Sequence, residues 1–140
     1  MKIVIIGSVS FVKEMKEVGE RLTNDGHDVT IPPSAELGQN KEYWNNFKEK
    51  DAQKVAEILR DRNLTYWKKI KSSDAVLVMN LTKNNVTNYI GPNTLMEIAV
   101  AFEHGKKIFL WSDLPGNGFA QDELDYMQPI VINSDLTKIM

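Results

Sequence analysis

Two runs of this chain are apolar at every position. Ile3-Val4-Ile5-Ile6 follows the amino terminus, and Ala75-Val76-Leu77-Val78-Met79 lies in the middle. A strand with one wet face alternates apolar and polar residues. A strand that lacks the alternation must be covered on both faces. Gly7-Ser8 closes the first run. Phe11, Met15, Val18 and Leu22 then recur at helical spacing, with charges between them. Asn24-Asp25-Gly26 stops that helix, and residues 27–31 make a short strand closed by Pro32-Pro33. Strand, helix, strand in this order implies a parallel pair with a right-handed crossover.

Residues 34–42 read as a loop. Helical spacing then runs over 42–72, where Phe47, Val55, Ile58, Leu59, Tyr66 and Ile70 fit one broad face. A stretch that long is expected to break, near Asp61-Arg62-Asn63. Residues 74–79 form a third strand. Residues 80–92 are polar, rich in Asn and Thr, and make a loop of the size that often carries function. A helix over 94–104 ends at Gly105. A fourth strand spans 107–111, a loop 115–118, a short helix 121–127 and a short last strand 129–132. The alternation predicts one domain over 1–140 of the α/β class. Its sheet is flavodoxin-like or Rossmann-like: doubly wound, parallel, five-stranded, in the order 2-1-3-4-5.

Composition narrows the chemistry. Hydrophobic residues make up 42% and charged residues 26%, a globular balance that needs no staples. A net charge of -2 gives no field toward nucleic acid or an anionic membrane. Cysteine is absent, and His27 and His104 are the only histidines. Disulfides and thiolate metal sites are therefore excluded, a histidine-based triad has no partners, and no metal or cofactor is expected. The first apolar run is too short for a signal segment, and no stretch reaches membrane-spanning length. The expected location is the cytoplasm.

Ligands of such sheets bind at the carboxyl ends of the strands, beside the point where strand order reverses. Residues 7–10, 80–93 and 112–118 fall there. Gly7-Ser8-Val9-Ser10 offers backbone N–H groups and two hydroxyls to a phosphate or a sugar. Equally, Ser8 or Ser10 caps the first helix. The segment lacks the dinucleotide and P-loop spacings. Glu97 is the lone carboxylate in the apolar stretch Leu95-Met96-Glu97-Ile98-Ala99-Val100-Ala101. Burial would raise its pKa and a helix N-terminus would lower it. The competing reading is a capping box, Thr94-Leu95-Met96-Glu97, in which the glutamate only closes the helix start. Asp74 reads as structural, Tyr43-Trp44 and Tyr66-Trp67 as packing or base-stacking aromatics, and His104 as a helix-end partner.

The segment Gly91-Pro92-Asn93-Thr94-Leu95-Met96-Glu97-Ile98-Ala99-Val100-Ala101, followed by Gly105-Lys106-Lys107-Ile108-Phe109-Leu110, resembles the nucleoside 2-deoxyribosyltransferase family and the related 2′-deoxynucleoside 5′-phosphate N-hydrolases. Ile5-Ile6-Gly7-Ser8 is similar to that family's first strand and substrate loop, and Ser73-Asp74-Ala75-Val76-Leu77-Val78 to its third strand. The resemblance implies that Glu97 attacks C1′ of a (deoxy)ribosyl group and displaces the base, with water or a second base resolving the intermediate. It implies substrate contacts from Gly7, Ser8, Ser10, Asn80, Gly91, Asn93 and Thr94, a small-molecule nucleoside or nucleotide as partner, and a homo-oligomer. The chain departs from the pattern where the family carries an aspartate before the third strand. Tyr66, or Thr65 one register away, stands in that slot, which makes Tyr66, or else Tyr89, the stand-in proton donor. The alternative is a non-catalytic nucleotide-binding or sensor domain on the same fold. A receiver would need an aspartate where this chain has Asn80.

Overall fold

The computed structural model describes residues 1–140. Five strands form one sheet: Lys2–Ile6 (β1), Asp28–Thr30 (β2), Ala75–Val78 (β3), Lys107–Leu110 (β4) and Ile130–Val131 (β5). Six helices connect or flank them: Val12–Asn24 (α1), Pro33–Leu37 (α2), Lys41–Lys50 (α3), Ala52–Lys71 (α4), Pro92–Glu103 (α5) and Gln121–Met127 (α6). Every pairing is parallel, and the order is β2-β1-β3-β4-β5, as the sequence leads one to expect. No helix is long and apolar enough to cross a membrane.

The two apolar runs lie side by side, from Ile3 opposite Ala75 to Ile6 opposite Val78. Successive side chains leave a strand on opposite faces, so each run divides between two cores. Ile3, Ile5, Ala75, Leu77 and Phe109 pack under Met15, Val18 and Leu22 of α1, with Ile132, Leu136 and Ile139 of the carboxyl-terminal tail beside them. Val4, Ile6, Val76, Val78, Ile108 and Leu110 pack under Tyr66 and Ile70 of α4 and Ile98 and Ala101 of α5. Helices on both faces are what the unbroken apolar runs require.

Two expectations are corrected. Residues 34–42 are not all loop, because α2 occupies 33–37. Pro33 opens it with a fixed φ, and Gly38 closes it at φ 67°, the left-handed conformation that suits glycine. The long helical stretch breaks at Asp51 rather than near Asp61-Arg62-Asn63. Asp51 sits at φ -156° and ψ 82°, its N–H still bonded to the Phe47 carbonyl, while its carboxylate accepts the Lys54 N–H at 3.0 Å. One residue thus ends α3 and caps α4. The turn frees α3 to lean over the carboxyl edge of the sheet.

Asn80, just after β3, is fully buried. Its amide nitrogen donates to the Ser112 and Asp113 carbonyls at 3.1 and 2.8 Å, and its oxygen accepts the Ser112 N–H at 2.9 Å. These bonds tie the carboxyl ends of β3 and β4 together. They engage both amide donors, so the expected substrate role of Asn80 gives way to a structural one. Asn80→Ala strands two carbonyls and an N–H. It should lower stability by about 2–3 kcal/mol, read as a fall in urea midpoint at unchanged m-value.

Candidate functional site

At the carboxyl edge of β1 and β3 lies a cleft of about 440 Å³. One wall is the Gly7-Ser8-Val9 loop and the start of α5, from Gly91 to Thr94, with Tyr89 before it. The facing wall comes from Lys41, Trp44 and Lys48 of α3 and Val55, Leu59 and Asn63 of α4. Gly7 lets the loop pass close to its neighbours: an added Cβ would stand 3.2 Å from the Met79 carbonyl oxygen and 3.3 Å from the Met15 sulfur, a tight fit that these neighbours would have to yield to. Ser8 accepts the Ser10 N–H at 3.2 Å, so it caps the 3₁₀ turn Val9–Phe11 while still lining the cleft. The helix α1 itself is capped by Phe11, without a side-chain bond. Ser10 lies inside that turn and does not line the cleft.

The α3 wall is held firmly. The Trp44 indole N–H donates to the Ser34 hydroxyl at 3.1 Å, and its ring stacks on Phe47. The Arg62 guanidinium lies 5.2 Å above that ring and donates to the Gln39 side-chain oxygen at 2.7 Å. A cation over an indole face is favourable. The bonds from Arg62 and Trp44 link α2, α3 and α4 into one rigid side of the cleft.

A chamber of about 90 Å³ adjoins the cleft, with Gly7, Val9, Leu59, Asn63 and Asn93 lining both. Glu97 and Tyr66 line this chamber. The capping-box reading of Glu97 does not survive. Gly91 is the N-cap and Pro92 the first helical residue, so Thr94 is the third position and Glu97 the sixth. At that depth the helix dipole has faded, and no cation pairs with the carboxyl. Burial then decides its charge. Glu97 is 4% exposed, and its one hydrogen bond comes from the Asn93 side-chain nitrogen at 3.5 Å. Desolvation pushes its pKa up to about 8.

Tyr66 is buried at the back of the chamber, and its O–H donates to the Ile5 carbonyl of β1. Burial first, then the negative charges of Glu97 and Glu36, hold its pKa well above the ordinary tyrosine value. Its proton points into the sheet and is hard to remove, which makes it a poor proton donor to a ligand. Tyr89 is the phenol that faces the cleft, half-buried beside Gly91, where an added Cβ would stand 2.9 Å from the phenol oxygen. Asp61, the nearest aspartate in sequence, is exposed and 3.8 Å from Arg60.

The structure therefore brings together Gly7, Ser8, Gly91, Asn93, Thr94, Glu97 and Tyr66, and leaves out Ser10 and Asn80. Residues 112–118 also stay out of the cleft, where the sequence placed them. Of the α3 and α4 wall, sequence reasoning offered only Trp44 and Tyr66, as packing or base-stacking aromatics, and missed Lys41, Lys48, Val55, Leu59 and Asn63. Part of its signal was available: Leu59, Asn63 and Tyr66 fall on one helical face, with a polar residue inside an apolar stripe. A second hollow, about 450 Å³, lies against α1 and the edge strand β2. Its charged rim, Lys16, Glu20 and Glu36, is exposed to water, and no buried ionisable group faces it. No family model and no curated protein matches the chain.

A carboxyl whose folded pKa lies above its unfolded value stabilises the fold fully only below the unfolded value. For Glu97 that contribution is intact below about pH 4.5 and is lost progressively as pH rises to about 8. Each tenfold change in an ionisation constant is worth about 1.4 kcal/mol. Glu97→Gln, which never ionises, should be more stable than the parent at pH 8 and equal to it near pH 4.5. Thermal melts at the two pH values read the difference; a variant no more stable at pH 8 would mean that Glu97 is not held neutral by burial.

Proposed function

We propose that the cleft cleaves or transfers the N-glycosidic bond of a nucleoside or its 5′-monophosphate, with Glu97 as nucleophile. One observation carries the reading: a carboxyl buried without a charge partner, freed from any capping role, in a chamber that shares a wall with the cleft at the strand-order switch. A structural glutamate has no reason to be there, whereas a tuned carboxylate in a crevice is the usual mark of chemistry. The resemblance of residues 91–101 to the nucleoside 2-deoxyribosyltransferases supports the same role.

The chemistry follows from the residues. Ionised Glu97 attacks C1′ and forms an ester bond as the C1′–N bond breaks, its electron pair leaving with the base. Tyr89 gives its proton to the departing nitrogen and regains one from solvent. Water then attacks C1′, loses a proton, and frees the Glu97 carboxylate; a second base in place of water gives transfer. Gly7, Ser8 and the free N–H groups of Asn93 and Thr94 at the start of α5 hold the sugar end. Trp44 and Leu59 offer apolar surface to the base. The absence of a second carboxyl group among the cleft residues favours the other reading, a nucleotide-binding domain without catalysis.

Base release from a panel of ribo- and deoxyribonucleosides and their 5′-monophosphates, followed by chromatography with and without a free acceptor base, separates the two. Release should fall by about 10³-fold or more in Glu97→Ala. Because the carboxylate is the working form, kcat/KM should rise with pH to a plateau above about 8. No release from any substrate would leave the binding reading. Tyr89→Phe should slow release of neutral bases by about 10²-fold, and far less for N7-methylated purines, which depart without a proton. Tyr66→Phe should chiefly lower stability, by about 1 kcal/mol, through the lost bond to Ile5.

A further inference from the structure

The loop after β4 stays out of the cleft, yet it lines a cavity of its own. A hollow of about 180 Å³ lies between this loop and the segment that leads into α5. Val86, Tyr89, Ile90 and Pro92 line it from the one, and Pro115, Asn117 and Phe119 from the other. Tyr89 and Pro92 also line the cleft. No residue of the hollow carries a charge, and Asn117 is its only amide side chain.

Both segments are fixed by their backbones. Lys83 and Val86 exchange both N–H···O=C bonds, at 3.0 and 2.8 Å, around Asn84 and Asn85 at φ 49° and 63°. Two left-handed residues inside a closed pair make the tight turn that asparagine tolerates best. The Tyr89 N–H bond to the Leu81 carbonyl, at 2.8 Å, closes the base of this hairpin, and the Lys83 ammonium lies 4.7 Å from the centre of the Tyr89 ring. The Asn88 amide ties the hairpin to the β4 loop through the Leu114 carbonyl, at 3.3 Å. In that loop Gly116, Gly118 and Ala120 stand at φ 70°, 86° and 48°. Alanine rarely adopts such a conformation, and backbone strain of this kind gathers at ligand clamps. The strained residue follows Phe119, whose N–H is held by the Asn117 side-chain oxygen at 3.0 Å. Phe119 lines the hollow and still shows 38% of its surface to water.

An exposed aromatic beside an uncharged hollow of rings and aliphatic groups suits a flat apolar face. Size narrows the ligand: a cavity of about 150 Å³ takes one benzene ring, while drug-sized ligands fill about 300 Å³ or more. With its oxygen on the Phe119 N–H, Asn117 keeps its amide nitrogen to donate to an acceptor on the ring's edge. We propose that the hollow binds one uncharged six-membered heteroaromatic ring, stacked on Phe119 and Tyr89 with a ring carbonyl on the Asn117 amide, as a second site beside the cleft. The site does not depend on the glycosidic reading, since Glu97 has no part in it.

The test titrates 2-pyridone, a planar six-membered ring with one carbonyl, into the full chain and follows backbone amide shifts by NMR. Shifts should centre on Val86, Tyr89, Ile90, Asn117 and Phe119. The saturated analogue 2-piperidone keeps the carbonyl and the N–H but not the flat face, and should bind at least about threefold more weakly. Phe119→Ala should weaken 2-pyridone binding by about fivefold or more, and Phe119→Tyr, which keeps the ring, by about twofold or less. Shifts centred on the cleft at Ser8 and Asn93, no shifts at all, equal binding of the saturated ring, or equal affinity in parent and Phe119→Ala would overturn the site. Each result is read without turnover. Base release by a protein that shows no shifts at the hollow would overturn the ring site and leave the glycosidic reading standing. Ring binding without base release would uphold the site while the glycosidic reading fell.

Discussion

Everything in this molecule follows from placing β1 and β3 next to each other with no wet face. Each strand sends alternate residues into two separate cores, and each core needs its own helical cover. The crossover from β1 to β2 therefore runs on one face, and the crossover from β3 to β4 on the other. The connections leave β1 and β3 in opposite directions, and the gap between them at the carboxyl edge cannot be filled by either. The cleft is a consequence of covering the sheet. Gly7 completes it, because the loop there passes so close to Met79 and Met15 that even a Cβ would be crowded.

Within that frame the sequence spoke clearly wherever one interaction dominated. Strand order, the α1 stripe and the two-sided core were legible because apolar burial outweighs the other forces there and leaves a period in the sequence. Glu97 was visible as a carboxylate in an apolar helix, but its role was not. Whether Thr94-x-x-Glu97 is a capping box depends on where the helix begins, and helix starts shift by a few residues with little change in pattern. Pro92 settled it. Proline costs least at the first helical position, so α5 starts there, and Glu97 moves a full turn further into the helix. The shift takes it from the positive end of the dipole into apolar surroundings, and the direction in which its pKa moves follows.

The unreadable parts are those fixed by single side-chain contacts between distant segments. Asn80 looks like any loop asparagine until β4 delivers Ser112 and Asp113 to its amide. Asp51 lies in a charged run whose apolar spacing continues on both sides, so only its cap geometry marks the break. Lys83 lies in a loop that the sequence could describe only as polar. Its place depends on two adjacent left-handed asparagines and on meeting Ser8, 75 residues away.

On the proposed chemistry, the burial of Glu97 looks like a handicap, because the carboxylate must be ionised to attack. The magnitudes say otherwise. With a pKa of about 8, roughly a tenth of the molecules carry the charge at pH 7, a loss of about tenfold in rate or about 1.4 kcal/mol. The transition state places a developing cation at C1′ against that carboxylate. A pair of unit charges about 4 Å apart attracts by about 4 kcal/mol at an effective dielectric of about 20, against about 1 kcal/mol in water. The surroundings that make the ground-state charge expensive thus favour the transition state by more than they cost. Ion-pairing Glu97 with a nearby arginine would remove the ionisation cost and cancel the gain. Arg62 lines the same chamber, yet its guanidinium is turned to Gln39, Ser34 and the Trp44 ring. Keeping that cation on the wall keeps the carboxyl unpaired until a positive charge develops in front of it.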